Sequence, residues 1–151
     1  MFDIPESEAK ALLDQGSCCI NCEPWIPHKI IRFLSTATAG TLDGQGVSQG
    51  IIVSLDYYSH PLTQIKRYKF SVFKQRPYGL DRVYQLDVIQ SKKTLKDAHA
   101  KPHEHFGNTR VTGEDAWSLW GYYDALNYFC ERTKITFEPP VQTPDEAFKL
   151  R

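Results

Sequence analysis

The sequence predicts an α+β fold: an antiparallel sheet of four to five strands, a long C-terminal amphipathic helix packed on one face, and a short N-terminal helix. Hydrophobic and polar residues alternate across residues 67–90, which is typical of half-buried strands. Between residues 115 and 130 the hydrophobic residues instead recur every three or four positions, which is typical of a helix. Parallel pairing is disfavoured because the segments at 47–90 follow one another without crossover helices. A closed, barrel-like sheet is an alternative.

The N-terminal helix is predicted from the segment "DIPESEAKALLDQG", which spans residues 3–16. Pro5 lies near its first turn, acidic residues follow, and Gly16 ends it. Its apolar face is formed by Ala9, Leu12 and Leu13. Residues 28–42 come next, and their β-branched side chains predict a strand that ends before the turn "DGQG".

Three further strands are predicted between residues 50 and 90. In "GIIVSLDYYSH" the side chains of Ile51, Val53, Leu55 and Tyr57 share one face at a period of two residues. The segments "RYKFSVFK" and "RVYQLDVIQ" alternate in the same way, and the connection "QRPYGLD" contains Pro and Gly. These two segments therefore predict an antiparallel hairpin.

The long C-terminal helix is predicted from "TGEDAWSLWGYYDALNYFCERT". Thr112 and Asp115 have the spacing of a capping box at its start. Its predicted core stripe consists of Ala116, Leu119, Trp120, Tyr123, Leu126 and Cys130. The segment "KITFEPP" predicts a short last strand, and a loose tail is expected from about residue 141.

Composition is that of one globular domain. The chain has 151 residues, of which 41% are hydrophobic and 24% charged, and this excludes a chain that is disordered throughout. No apolar run approaches the roughly 18 residues that span a membrane, and the N-terminus lacks the pattern of a signal peptide. We therefore expect a cytoplasmic protein without a membrane partner, whose four cysteines stay reduced.

The net charge of zero hides a basic middle third. Residues 66–110 carry eleven Lys and Arg against four Asp and Glu, whereas acidic residues predominate on either side. This distribution predicts binding of the phosphates of RNA or another polyanion, binding of an acidic partner, or neutralisation by the acidic ends of the chain. The candidate nucleic-acid-binding residues are Lys66, Arg67, Lys69, Lys74, Arg76, Tyr78, Lys92 and Arg110.

The segment "KDAHAKPHEHFG", residues 96–107, contains three of the five histidines. His103 and His105 are two positions apart, so both point the same way on a strand, and a turn in "AKP" would bring His99 to them. Three imidazoles of this kind could hold a divalent metal, with a fourth position open for chemistry. An exposed loop without a catalytic role is another interpretation.

Catalysis without a metal cofactor is the third interpretation of this segment. Cleavage of RNA through the 2′-hydroxyl needs a base, an acid and a cation near the phosphate. Histidine can transfer the protons near neutral pH. Lys74, Arg76, Arg82 and Arg110 are candidate cations, and Tyr78 could stack on a base.

The chain resembles known proteins in three segments. These are "RVYQLDV", "DAHAKPHEHFG" and the predicted aromatic helix that ends in "FCERTKITF". The chain resembles small bacterial and phage-borne proteins with an R-x-x-x-L-D strand and an H…H-x-H element, over roughly residues 66–137. It is more distantly similar to the TumE-like toxin ribonucleases of toxin–antitoxin pairs, over about residues 82–107. The resemblance implies roles for Arg82, Leu86, Asp87, His99, His103 and His105. The chain departs from the pattern at "AKP", where an Asn-Pro-x-Gly turn would follow the first histidine.

Two classes of function follow. The first is a toxin-like, metal-independent endoribonuclease with His103 and His105 as acid and base and with Arg82 or Lys74 on the phosphate; an antitoxin would be its partner. The second is a non-enzymatic inhibitor or immunity protein of a phage or mobile element, with an anti-defence role. Such a protein would dock on a host protein or nucleoprotein complex through the basic hairpin.

Overall fold

The computed structural model describes residues 2–22, 24–90 and 101–149. Within these residues ten strands form one sheet. The strands are β1 (Phe2–Asp3), β2 (Ser17–Ile20), β3 (Ile26–Pro27), β4 (Leu34–Leu42), β5 (Ser48–Ser59), β6 (Lys66–Arg76), β7 (Gly79–Gln90), β8 (His103–Phe106), β9 (Thr109–Thr112) and β10 (Ile135–Glu138). The helices are α1 (Glu6–Asp14), α2 (Tyr122–Thr133) and α3 (Pro144–Lys149), with a 3-10 helix at Asp115–Leu119.

The sheet is mixed, and its main path runs β10-β2-β4-β5-β6-β7-β8-β9. Neighbours from β4 to β9 are antiparallel, whereas β10 pairs with β2 and β1 pairs with β7 in parallel. The predicted antiparallel sheet of four to five strands is therefore wrong. The predicted short last strand is present as β10. The additional strands β1, β2, β3, β8 and β9 have two to four residues each, too few to show a period of two, and both parallel pairs join segments that are far apart in sequence.

The predicted long C-terminal helix is also wrong. The 3-10 helix ends at Leu119, Gly121 is extended, and α2 begins only at Tyr122. The backbone N–H of Gly121 donates to Asp124 Oδ2 at 2.9 Å, so the start of α2 is stabilised here and not at Thr112. The break places Trp117 and Trp120 against Tyr128, with ring centroids 4.8 and 5.1 Å from it. Ala116, Leu119 and Tyr123 of the predicted core stripe are exposed.

Several predicted elements are confirmed. Helix α1 buries Ala9 and Leu13, and β5 buries the predicted face from Ile51 to Tyr57. Strands β6 and β7 form the predicted antiparallel hairpin.

Two predicted segments differ in part from the structure. The strand expected at 28–42 begins only at Leu34, because residues 28–33 form a turn. Beyond residue 141 the structure has the short helix α3 where the sequence predicts a loose tail.

The sheet has two faces, which we define by their side chains. Helix α2 packs on the first face, the helix-covered face, where Phe129 contacts Phe70 and Tyr84. Helix α1 packs there too, since Lys10 lies 5.2 Å from the ring of Phe106. Alternate residues of the same strands point the other way and form what we call the second face. It carries Arg67, Lys69, Ser71, Arg82, Gln85, Asp87, His103 and His105.

Candidate functional site

Strand β8 divides its four residues between the two faces. Its register with β7 places His103 opposite Asp87 and His105 opposite Gln85 on the second face. Glu104 and Phe106 point to the helix-covered face. The expectation that His103 and His105 share a face is thereby confirmed, because the segment is extended.

The centre of the second face is a group that we call the histidine cluster, made of Arg67, Asp87, His103 and His105. Arg67 donates from Nε to Asp87 Oδ1 at 3.0 Å and from Nη2 to Asp87 Oδ2 at 2.6 Å. These hydrogen bonds raise the pKa of Arg67 above its ordinary value. His103 Nε2 lies 4.0 Å from the same Oδ2. Asp87 is thus buried and held rigidly beside the first imidazole.

The two imidazoles of the cluster differ in accessibility. His103 is buried, and its Nδ1 lies 2.9 Å from the carbonyl oxygen of Lys101. Because a carbonyl only accepts, this contact places a proton on Nδ1 and leaves Nε2 facing Asp87. His105 is partly exposed, and its ring is 5.1 Å from that of His103 and nearly perpendicular to it. The pair therefore presents one fixed ring and one accessible ring.

A chain of polar contacts extends from the cluster to Arg82. Gln85, opposite His105, donates to Ser71 Oγ at 2.9 Å and accepts from Arg82 Nη1 at 3.2 Å. On the other side of His105, strand β9 pairs Arg110 with it. Two arginines predicted from sequence as phosphate-facing cations therefore lie on the same face as the histidines.

Other predicted cations lie elsewhere. Lys74 donates to the carbonyl oxygen of Gln49 at 2.7 Å. Arg76 pairs with Asp81 and with Glu8 of α1, and Tyr78 also donates to Asp81. Side chains alternate along β6, so Lys66 points to the helix-covered face, whereas Arg67 and Lys69 both point to the second face. The predicted basic residues are thus divided between the two sides of the sheet.

Two of the predicted site residues, His99 and Lys92, lie outside the described residues. The three-histidine metal interpretation therefore stays a prediction. Among the residues that are described, no group of three or more His, Cys, Asp or Glu side chains is arranged to hold a metal ion. The described cluster contains the carboxylate of Asp87 and the imidazoles of His103 and His105.

Sequence reasoning missed a second polar cluster, which lies on the helix-covered face. Glu104 is 2% exposed and accepts from Tyr84 at 2.7 Å, from Tyr128 at 3.2 Å, and from Arg132 Nη2 at 2.8 Å. Burial, followed by the charge of Glu104, raises the pKa of Tyr128 to about 12. The available signal was the alternation in "HEH", which puts the glutamate on the side of the core. We call this group the glutamate cluster.

Comparison with known proteins adds no assignment: no family model, curated protein or solved structure matches this chain significantly. Within the described part of the chain, none of the helices has the length and apolar character needed to cross a membrane.

Proposed function

We propose that the protein is a metal-independent endoribonuclease whose histidine cluster cleaves RNA through the 2′-hydroxyl. The observation that carries this proposal is the pairing of His103 and His105 on one sheet face, with ring centroids 5.1 Å apart. That spacing is short enough for both imidazoles to reach one phosphodiester. Proton transfer by two positioned imidazoles is the chemistry that this reaction needs.

The difference in burial assigns the two roles. His105 is partly exposed and can approach the 2′-hydroxyl as the general base, which takes its proton as the oxygen attacks phosphorus. His103, whose Nδ1 carries a proton toward the Lys101 carbonyl, would use Nε2 as the general acid for the leaving 5′-oxygen. Asp87 lies near that nitrogen and would stabilise the charged ring. Arg67 is a positioning residue, because it acts by holding Asp87.

Negative charge that develops on the phosphate requires cations near the two rings. Arg82 and Arg110 meet this requirement best, since both lie on the second face. Arg110 pairs directly with His105, and Arg82 donates to Gln85, which lies opposite His105. Lys74, named with Arg82 from the sequence, lies on the other side and binds the Gln49 carbonyl. The proposal therefore places Arg82 and Arg110 at the phosphate and leaves Lys74 out.

The docking of a non-enzymatic inhibitor through the basic hairpin has less support. Arg76, close to the hairpin tip, already pairs with Asp81 and Glu8, and Lys74 is held by a backbone carbonyl. A docking partner would have to replace these contacts. The enzymatic proposal instead uses Arg82 and Arg110, which lie on the same face as the two histidines.

The test is cleavage of an end-labelled single-stranded RNA by purified protein, with and without EDTA. His103→Ala and His105→Ala should each lower turnover by about 10²–10⁴-fold. An otherwise identical RNA that carries 2′-deoxyribose throughout should resist cleavage, because the nucleophile is missing. Thermal unfolding of each variant distinguishes lost chemistry from lost structure.

His28→Ala is the matched control, because His28 is not a member of the cluster and its Nδ1 accepts from Ile30 and Ile31 within the turn before β4. It should retain wild-type turnover. Wild-type cleavage by both cluster variants would contradict the proposal. Cleavage abolished by EDTA and restored by a divalent ion would favour the metal site of His99, His103 and His105 instead.

A further inference from the structure

Two loops at one end of the sheet expose a group of apolar side chains that we call the apolar loop patch. The first is the turn before β4, and the second joins β5 to β6. The patch consists of Ile30, Ile31, Phe33, Leu62 and Ile65, all of them exposed. Ile30 is 85% exposed and Leu62 is 87% exposed. Single exposed apolar residues are ordinary, but a contiguous group marks an interaction surface.

The two loops are adjacent in space. The backbone N–H of Ser59 donates to the carbonyl oxygen of Phe33 at 3.2 Å. The rings of Phe33 and His60 are 5.0 Å apart. Strand pairing of Leu34 with Tyr58 fixes the bases of both loops. The apolar side chains of the two loops therefore belong to one surface.

In each loop a histidine side chain accepts hydrogen bonds from the backbone. Nδ1 of His28 accepts from the backbone N–H groups of Ile30 and Ile31, at 3.1 and 2.8 Å. Nδ1 of His60 accepts in the same way from Leu62 and Thr63, both at 3.2 Å. Each imidazole thus satisfies two backbone donors of a turn whose apolar side chains point outward. This arrangement orders the patch in advance of binding, which lowers the entropic cost of association.

Basic residues predominate around the patch. Lys29 and Arg32 lie within the first loop, and Lys66 follows the second. The two loops, residues 28–33 and 60–65, contain neither Asp nor Glu, and Asp56 of β5 accepts a hydrogen bond from Thr36. A second copy of this chain would bring two basic surfaces together, so self-association is disfavoured. RNA is disfavoured because most of the patch is aliphatic and offers little surface on which bases could stack.

We propose that the apolar loop patch binds a partner protein through an apolar segment flanked by Asp or Glu. Aliphatic side chains of that segment would cover Ile30, Ile31 and Leu62. Its carboxylates would face Lys29, Arg32 and Lys66. This docking surface is independent of the histidine cluster and holds whether or not the protein cleaves RNA.

The test is selection of a random-peptide display library on the immobilised full-length protein. Enriched peptides should combine apolar residues with Asp or Glu. Their affinity, measured by fluorescence anisotropy, should fall about tenfold or more in the triple variant I30S/I31S/L62S. It should also fall in K29E/R32E, because the charge that attracts the carboxylates is reversed. These exposed substitutions should leave the fold and RNA cleavage unchanged.

Val47→Ser and Leu119→Ser are the matched controls, because both side chains are exposed apolar residues outside the patch. Each should bind the selected peptides with wild-type affinity. Enrichment of basic or neutral peptides would overturn the proposal, and so would peptides that bind the triple variant equally well. Sedimentation of the unliganded protein as a dimer that the triple variant abolishes would also overturn it, by assigning the patch to a second copy.

Discussion

Glu104 and its two neighbours on β8 illustrate two uses of a polar side chain. Glu104 lies on the helix-covered face and accepts hydrogen bonds from three side chains. His103 and His105 lie on the second face, where one ring is fixed and the other is partly exposed. The carboxylate is buried and accepts its hydrogen bonds from within the fold, whereas the imidazole of His105 is partly exposed. Adjacent positions of one strand thus belong to a buried ion-pair cluster and to the proposed catalytic site.

The comparison shows why charge alone identifies a site poorly. Both clusters contain an arginine bonded through two nitrogens to a buried carboxylate: Arg132 to Glu104, and Arg67 to Asp87. In the glutamate cluster the remaining contacts come from tyrosines, which do not transfer protons near neutral pH. In the histidine cluster they come from imidazoles, the kind of side chain that the proposed proton transfers require. The side chains around each ion pair, and not the ion pair itself, therefore distinguish the histidine cluster from the glutamate cluster.

The largest effect on stability is expected in the glutamate cluster. Arg132→Met should lower the free energy of unfolding by about 3 kcal/mol, because it leaves a buried carboxylate that only tyrosine hydroxyls then stabilise. Chemical denaturation monitored by tryptophan fluorescence measures the change. Lys134→Met is the control, since its pair with Asp14 is exposed and should be worth at most about 1 kcal/mol. Equal losses in the two variants would erase the distinction between the clusters.

A smaller effect on stability and a clear effect on activity are expected from Asp87→Asn. The amide keeps the shape of the carboxylate but cannot accept both charged hydrogen bonds from Arg67, so the loss of stability should be about 1.5 kcal/mol. RNA cleavage should fall about tenfold, because the charged form of His103 loses its neighbouring carboxylate. Cleavage assays and denaturation are run on the same preparation. A loss as large as that of Arg132→Met, with unchanged cleavage, would make this cluster structural.

The smallest effect concerns alkaline pH and is confined to the helix-covered face. The pKa of Tyr128 is raised from 10.0 to about 12, chiefly by burial, so the folded state favours the neutral phenol. Its contribution is complete below pH 10 and is lost as the pH rises toward 12. Tyr128→Phe should make the decline in stability over this range shallower, as measured by denaturation at several pH values. Asp87→Asn should keep the wild-type slope; an unchanged slope in Tyr128→Phe would contradict the assignment.

The sequence predicts best those elements whose side chains alternate over many residues. Strands β5, β6 and β7 each have eleven or twelve residues, so their period is visible and their buried faces follow from it. The shared face of His103 and His105 follows from the same rule. Periodicity fails to predict the structure around Gly121. The aromatic residues on both sides of this glycine keep a helical period, but the helix is broken there, and Trp117 and Trp120 pack on Tyr128.

The partners of the site residues depend on register, which the sequence leaves open. The pairing of Arg67 with Asp87 crosses the β6–β7 hairpin on a diagonal, since Arg67 lies opposite Ile89. A bulge near Val72 and Phe73 also shifts β7 by one residue and places Arg82 on the face of Gln85. Local periodicity gives no sign of either feature. The separation of Lys74 and Arg76 from Arg67 and Lys69 has the same origin, because alternation along β6 divides a run of basic residues.

Parallel pairing of β2 with β10 has a consequence for synthesis of the chain on the ribosome. Strand β2 contacts β4 through the single pair Cys18–Leu42 but contacts β10 through four residue pairs. Strands β4 to β7 can pair as soon as they emerge, since each neighbour follows directly in sequence. Strand β2 must wait for β10, more than a hundred residues later. Strand β2 therefore acquires its main partner long after its own synthesis, and until then the sheet has an edge that chaperones or other nascent chains can reach.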